Sequence, residues 1–203
     1  GGASGGGLEV GSRRVEAVAT REMGSRAGSD AESAAAVLAL DALPPPDEEG
    51  ATLLHSAARR GLPETIAAIL SKKADVNARS KSGETPLIAA CQAGSTDAAV
   101  QLLDAGADFN LKDGQDQSPL HWAAQRSNAE LSLILLQRGC SPNLQDIMKR
   151  TPMHWLCQQR GMAEVVRAAV SAHGADPTVG SQGGDTPLHW ACKAGNGAAV
   201  EYL

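Results

Sequence analysis

Histidine, cysteine and tryptophan are the side chains of this sequence best suited to chemistry, and their spacing argues against most of it. Four of the five histidines, His55, His121, His154 and His189, stand at the same place in successive copies of one short motif. Each therefore belongs to a different structural layer, so they cannot converge as a metal site or a triad. His173 reads as a loop residue without a partner. Cys91, Cys157 and Cys192 also share one place, three residues after the histidine position, where Ala58 and Ala124 stand in other copies. That pattern suits a buried small side chain. Neighbouring packed helices lie ~8–10 Å apart, and a disulfide wants Cα atoms within ~7 Å, so Cys157 and Cys192 are expected to stay free. No CxxC pair or zinc-ligand spacing involves Cys140 or the others. Gly2-Ala3-Ser4-Gly5-Gly6 matches the G-x-S-x-G nucleophile pattern, but it lacks the strand before and the helix after that the pattern needs. No phosphate loop, HExxH or dinucleotide fingerprint is present. The expectation is no catalytic residue, no metal and no cofactor.

Trp122, Trp155 and Trp190 each follow the motif histidine, in a chain with five aromatic residues in all. They could line a partner-facing strip or pack between repeats. Packing is the simpler reading, since tryptophan is usually well buried.

The elements that must hold these residues follow from an internal repeat. Thr52-Leu53-Leu54-His55, Thr85-Pro86-Leu87-Ile88, Ser118-Pro119-Leu120-His121, Thr151-Pro152-Met153-His154 and Thr186-Pro187-Leu188-His189 begin 33, 33, 33 and 35 residues apart. Thr or Ser caps a helix with its hydroxyl, and Pro fits the first turn, where its missing N–H is not needed. Gly61, Gly94 and Gly161 suit the left-handed residue that ends a helix. Apolar residues at helical spacing then mark a second helix: Ala98, Ala99, Leu102 and Leu103 in one copy, and Leu131, Leu133, Ile134, Leu135 and Leu136 in the next. Gly106, Gly139 and Gly174 close it, and Asp and Asn residues after them suit a tight turn. One such unit cannot bury its apolar face alone, whereas stacked units share a continuous core.

The pattern resembles the ankyrin-repeat family over residues 47–203. The resemblance implies a mostly α solenoid of helix–turn–helix units with hairpin-like loops. It would hold four full repeats, at about 47–79, 80–112, 113–145 and 146–180, and an incomplete fifth at 181–203. It implies that the motif histidine hydrogen-bonds the backbone and the capping Thr. Leu53 and Ile88 depart from the motif, and the fourth repeat is two residues longer. A local bulge is expected there, with one extra residue between His154 and Gly161 and the other between Gly161 and Gly174. Val200 and Leu203 fall at apolar positions, and only about six residues are available for the fifth repeat's second helix. The native protein is therefore expected to continue beyond Leu203.

The family implies protein binding through the loop tips and the exposed side of the first helices. Carried onto this chain, that concave face comprises Glu48, Glu49, Arg59 and Arg60, then Lys81, Glu84 and Gln92. The third repeat adds Gln115, Gln117, Gln125 and Arg126. The fourth adds Ile147, Met148, Arg150, Gln158 and Gln159, and the fifth Gln182, Asp185 and Lys193. Ile147 and Met148 stand out as apolar residues at a loop tip with no core to enter. The His-Trp pairs and the 35-residue spacing are also similar to the ankyrin segment of some membrane protein S-acyltransferases, whose Asp-His-His-Cys motif and membrane spans this chain lacks. That likeness offers an alternative, a regulatory region of a larger enzyme. A third reading is an assembly chaperone built of ankyrin repeats alone.

Charge narrows the partner. Residues 1–50 carry 4 basic and 9 acidic side chains, whereas residues 51–203 carry 14 of each. A repeat region without net charge is poorly suited to nucleic acid. The longest apolar run, Ala34 to Leu40, is far short of the ~20 residues a membrane span needs. The glycine-rich start has no apolar secretory core. These features lead us to expect a monomeric, intracellular protein, cytoplasmic or nuclear, with a protein partner. Residues 1–30 read as disordered. Ser29 and Glu32 form a capping box ahead of a helix over 31–43, which Pro44-Pro45-Pro46 ends. That helix either covers the first repeat or lies solvated in a linker.

Overall fold

The structure, a computed structural model, describes residues 29–203; the disorder expected over residues 1–30 lies outside them except at Ser29 and Asp30, which cap and open the first helix. The described residues form eleven helices and no strand. Helix α1 (Asp30–Leu38) leads the stack. Five helix pairs follow: α2 (Leu53–Arg60) with α3 (Pro63–Ser71), α4 (Pro86–Ala93) with α5 (Thr96–Asp104), α6 (Pro119–Gln125) with α7 (Ala129–Gln137), α8 (Pro152–Gln158) with α9 (Ala163–His173), and α10 (Pro187–Ala194) with α11 (Gly197–Val200). First helices stack on first helices and second on second, so the chain is a helical-repeat solenoid.

Local chemistry starts and stops each helix where the motif places it. Thr52, Thr85, Ser118, Thr151 and Thr186 all stand as N-caps in extended backbone, and Pro follows four of them. Gly61, Gly94 and Gly195 end first helices with positive φ. The third repeat has Ser127 at this place, held at φ 55°. Alanine pairs, Ala57 with Ala58, Ala89 with Ala90 and Ala123 with Ala124, are fully buried in the first helices and let them approach closely. Larger residues of the second helices fill the core, among them Ile66, Ile69, Leu102, Leu131, Leu135 and Val166.

The longer fourth repeat does bulge. Gln159, just past α8, is extended (φ −86°, ψ 130°) instead of closing a helical turn, which absorbs one extra residue. Helix α9 runs for 11 residues against 9 in α3, α5 and α7, which absorbs the other.

Helix α1 covers the first repeat by packing on α3. The Ser29–Glu32 capping box is formed, but the helix ends at Leu38 instead of Leu43. Lys72 Nζ donates to the carbonyls of Leu38 (3.1 Å) and Leu40 (2.9 Å), while Leu40 is buried and Leu43 packs on the core. A helix continued to Leu43 would have used the Leu38 carbonyl internally. At the other end, Asp30 accepts from the backbone N–H groups of Glu64 (2.8 Å) and Thr65 (2.9 Å). It thus caps α3 from another element, where α3's own N-cap residue, Leu62, has no side-chain acceptor.

Candidate functional site: loop tips and first helices

Each loop before a first helix is folded by its own backbone. Residues Asp47, Ser80, Asp113, Asp146 and Ser181, five before each capping Thr or Ser, donate their N–H to the carbonyl four residues on, at 2.8–3.0 Å. Where that residue is Asp47, Asp113 or Asp146, its Oδ1 also accepts from two later N–H groups: Glu49 and Ala51 in the first loop, Gln115 and Gln117 in the third, Met148 and Arg150 in the fourth. Neighbouring loop tips are joined by one main-chain bond per layer: Lys81 to Glu49, Gly114 to Ser82, Ile147 to Gln115 and Gln182 to Met148, at 2.7–3.1 Å. A row of fixed tips results.

The histidines tie one layer to the next. His55 Nδ1 accepts from the Thr52 N–H (3.1 Å), and its Nε2 lies 3.0 Å from the Glu84 carbonyl of the following repeat. His121 does the same with Ser118 and the Arg150 carbonyl, and His154 with Thr151 and the Asp185 carbonyl. A backbone N–H can only donate and a carbonyl only accept, so the proton belongs on Nε2 and the ring is neutral. Desolvation by burial agrees: it lowers the basicity of His55 and His154 and takes that of His121 down to about 4, against a weaker opposing pull from the carbonyl each faces. His189 shows only the first half of this pattern, with Thr186.

All four cysteines carry free thiols, three of them buried and Cys192 exposed. Burial pushes the thiols of Cys140 and Cys157 up to about 12 and that of Cys91 higher still, which leaves them without nucleophilic character at neutral pH. Among the described residues, no three His, Cys, Asp or Glu side chains gather as metal ligands.

The tryptophans fall between the two readings, with every ring half-buried. Trp122 and Trp155 pack on the core. Trp122 Nε1 donates to Asp113 Oδ2 at 2.9 Å. Trp155 lies edge-on to Trp190 (centroids 5.2 Å apart) and under the Arg150 guanidinium, 4.8 Å from its centroid. Clefts of about 420 and 310 Å³ open in front of Trp122 and Trp190.

The expected partner-binding residues divide into three groups. Lys81, Gln115, Arg126, Gln158, Ile147 and Met148 are exposed, the last two at 57% and 45%. Gln92, Gln125 and Gln159 are half-buried beside the clefts or helix ends, as is Arg60. Others are already engaged within the molecule. Arg59 donates to Glu84 (2.9 Å) across the first two layers, and Lys193 to Asp185 (2.7 Å). Arg150 donates to Asp146 (2.7 Å); burial alone would raise that carboxyl, but the arginine outweighs it and holds it below its ordinary range. Glu84 (8% exposed) and Gln117 (3%) are turned inward, and of the two only Glu84 still edges the cleft in front of Trp122. Glu84 faces Arg59, and Gln117 reaches toward Asp146. Both immediately precede a capping residue, where the chain dives into the layer.

The motif reading missed the organising carboxylates Asp113 and Asp146. Their signal was their shared place, five residues before Ser118 and Thr151. It also missed Asn128 and Asn196, which reach back to the preceding repeat. Asn128 Nδ2 donates to the Gly94 carbonyl and Thr96 Oγ1, and Asn196 Nδ2 to the Cys157 and Gln159 carbonyls.

Paired helices in register, loop tips zipped by backbone and layers tied by a buried histidine define a stacked helical-repeat protein. The family model described as "Ankyrin repeats (3 copies)" matches residues 28–113, 54–146 and 120–203, and the chain belongs to the ankyrin-repeat family. Such repeats are generally protein–protein interaction modules and typically non-catalytic. A comparison with curated proteins found no match. No helix among the described residues is long and apolar enough to cross a membrane.

Proposed function

We propose that this chain is a scaffold that holds a segment of a partner protein against the loop tips and the concave side of α4, α6, α8 and α10. The observation that carries this reading is the pair Ile147 and Met148. Their backbones are locked to the neighbouring tips on both sides, through Gln115 and Gln182, while both side chains project into solvent. A rigid tip with two exposed apolar side chains loses little backbone entropy when a partner covers it, which favours it as a contact anchor. The two clefts beside Trp122 and Trp190 flank it along the groove.

The test uses the full chain as bait in quantitative affinity capture. The double substitution Ile147→Asp with Met148→Asp should remove the specific partners without lowering the melting temperature. Arg167→Glu, an exposed change on α9, should leave capture intact. Partners that survive the loop substitution but vanish with the α9 substitution would place recognition on the other face and end this reading.

A further inference from the structure

We infer that the cleft between the second and third repeats is a receptor for an arginine side chain of the bound partner. This rests on the concave face being the binding surface, and it specifies the chemistry that one part of that face selects.

The chain holds two equivalent sites. Asp113 and Asp146 hold the same place in their loops, and each is followed nine residues later by a tryptophan, Trp122 or Trp155. Each carboxylate spends Oδ1 on two backbone N–H groups and turns Oδ2 toward its tryptophan's side of the loop. In the fourth repeat that place is filled from within. Arg150 donates to Asp146 Oδ2 through Nε (2.8 Å) and Nη2 (2.7 Å), and its guanidinium lies over the Trp155 ring. A guanidinium held both by a carboxylate and by an aromatic face is a cation receptor already occupied.

In the third repeat the residue corresponding to Arg150 is Gln117. It carries no charge, is buried, and points its amide toward Asp146 at 3.5 Å. Asp113 Oδ2 accepts a single bond, from the Trp122 indole N–H, and keeps acceptor capacity. In front of it opens the cleft of about 420 Å³, walled by Trp122, Asp113, Glu84, Gln92 and Gln115. The charge of Glu84 is matched by Arg59, and the neighbouring Lys112 pairs with Asp116. The carboxylate of Asp113 faces no cation of the cleft wall. The third repeat thus holds the carboxylate and the aromatic face of the fourth, with open space where the fourth has its arginine. Arginine fits better than lysine, because its planar fork stacks on an indole and donates in parallel to one carboxylate.

The fourth repeat also shows what occupancy does. Trp155 Nε1 is buried without a partner, since Arg150 has taken the carboxylate oxygen that its counterpart Trp122 bonds. Filling the third-repeat site should therefore disturb the Trp122 indole N–H, which gives a direct readout. The full chain, labelled with nitrogen-15, is titrated with N-acetylarginine amide while the three indole N–H signals are followed; Trp122→Phe assigns the relevant one. The expected result is a saturable movement of the Trp122 signal. The uncharged isostere N-acetylcitrulline amide should leave it in place, and N-acetyllysine amide should bind roughly tenfold more weakly. Asp113→Asn should weaken the arginine response by about tenfold or more. Gln117→Arg should shift the Trp122 signal with no probe present and abolish the response. Melting curves show which variants fold, and Asp113→Asn alone decides the matter if Gln117→Arg does not. A Trp122 signal that never moves, moves equally with citrulline or lysine, or responds unchanged in folded Asp113→Asn overturns the proposal. No partner protein enters this titration. Its failure therefore leaves the capture result with the loop substitutions standing, and failure of that capture leaves the cleft's selectivity to be read here.

Discussion

The motif histidine illustrates how a residue suited to catalysis is spent on architecture. Its Nδ1 closes the capping turn of its own helix by accepting a backbone N–H, which needs a neutral ring, and its Nε2–H reaches the loop of the next layer. Replacing His121 by Ala removes a buried side chain and leaves the Arg150 carbonyl and the Ser118 N–H without partners. The expected loss is ~2–4 kcal/mol. His189 is exposed and bonds only Thr186, so His189→Ala should cost less than about 1 kcal/mol by urea denaturation. Equal losses would refute the inter-layer role. The same residues set a pH dependence. The folded state holds His55, His121 and His154 below their unfolded values, so at low pH the unfolded chain binds more protons. Stability is present above the unfolded value near pH ~6.5 and drains as pH falls toward about 4. For His121 alone this is on the order of 3 kcal/mol, the figure for roughly two to three pKa units. The drop in melting temperature between pH 7 and pH 4.5 should be visibly smaller in His121→Ala.

Among the helices, termini decide more than interiors. The turn between α6 and α7 places Ser127 at φ 55°, a conformation that the equivalent Gly61, Gly94 and Gly195 adopt freely. A non-glycine residue there carries a strain of ~1–2 kcal/mol. Ser127→Gly should raise stability by part of that, about 0.5–1 kcal/mol after the added freedom of the unfolded chain is counted. A lower melting temperature would show that Ser127 makes a compensating contact. The junction of α1 with the first repeat is a second case. Asp30 supplies the acceptor that Leu62 cannot, so Asp30→Ala should cost about 1–2 kcal/mol, more than an exposed substitution elsewhere on α1. The α3 amides Glu64 and Thr65 should exchange with solvent faster in that variant, and unchanged exchange would show that the cap does not matter. The early end of α1 at Leu38 belongs to the same balance. Lys72 and the burial of Leu40 and Leu43 outweigh the helical preference of the alanine- and leucine-rich stretch.

For the whole molecule, the core of a solenoid is continuous but built only from contacts between neighbouring layers, so each layer is as stable as its two neighbours make it. The second helix of the third repeat lies mid-stack, with Leu131, Leu135 and Leu136 fully or almost fully buried. Helix α11 spans four residues and leaves Val200 exposed at 38%. Native-state hydrogen exchange should therefore be slowest around Leu131–Leu136 and fast from Ala198 onward. Uniform protection across the two regions would mean that the array unfolds as a single unit, without nearest-neighbour grading. The same graded stack keeps the row of loop tips in place: the tips ride on backbone bonds to both neighbours, so Ile147 and Met148 hold their position only while the third and fifth repeats are folded beside them.

The sequence by itself determined the repeat, its register, the caps and the helix-ending glycines. These are local matters: Thr-Pro or Ser-Pro sets a helix start whatever surrounds it, and a left-handed turn favours glycine at its own position. The free cysteines and the site of the bulge in the fourth repeat were legible for the same reason, since spacing alone places Cys157 and Cys192 in separate layers and puts two extra residues between fixed landmarks. Only the tertiary structure decided how side chains from different layers share one space. Glu84 and Gln117 read as surface residues, yet Arg59 of one repeat and Asp146 of another draw them inward across 25 and 29 residues of chain. Asp30 and α3, or Asn196 and the carbonyls of Cys157 and Gln159, are joined in the same way. Trp122 and Trp155 look identical in sequence and differ in environment because the position five residues upstream holds Gln117 in one repeat and Arg150 in the other. A local pattern fixes which element a residue belongs to; which neighbour takes up a hydrogen bond or a charge depends on stacking geometry, because partners about thirty residues apart meet only when the layers are laid on one another.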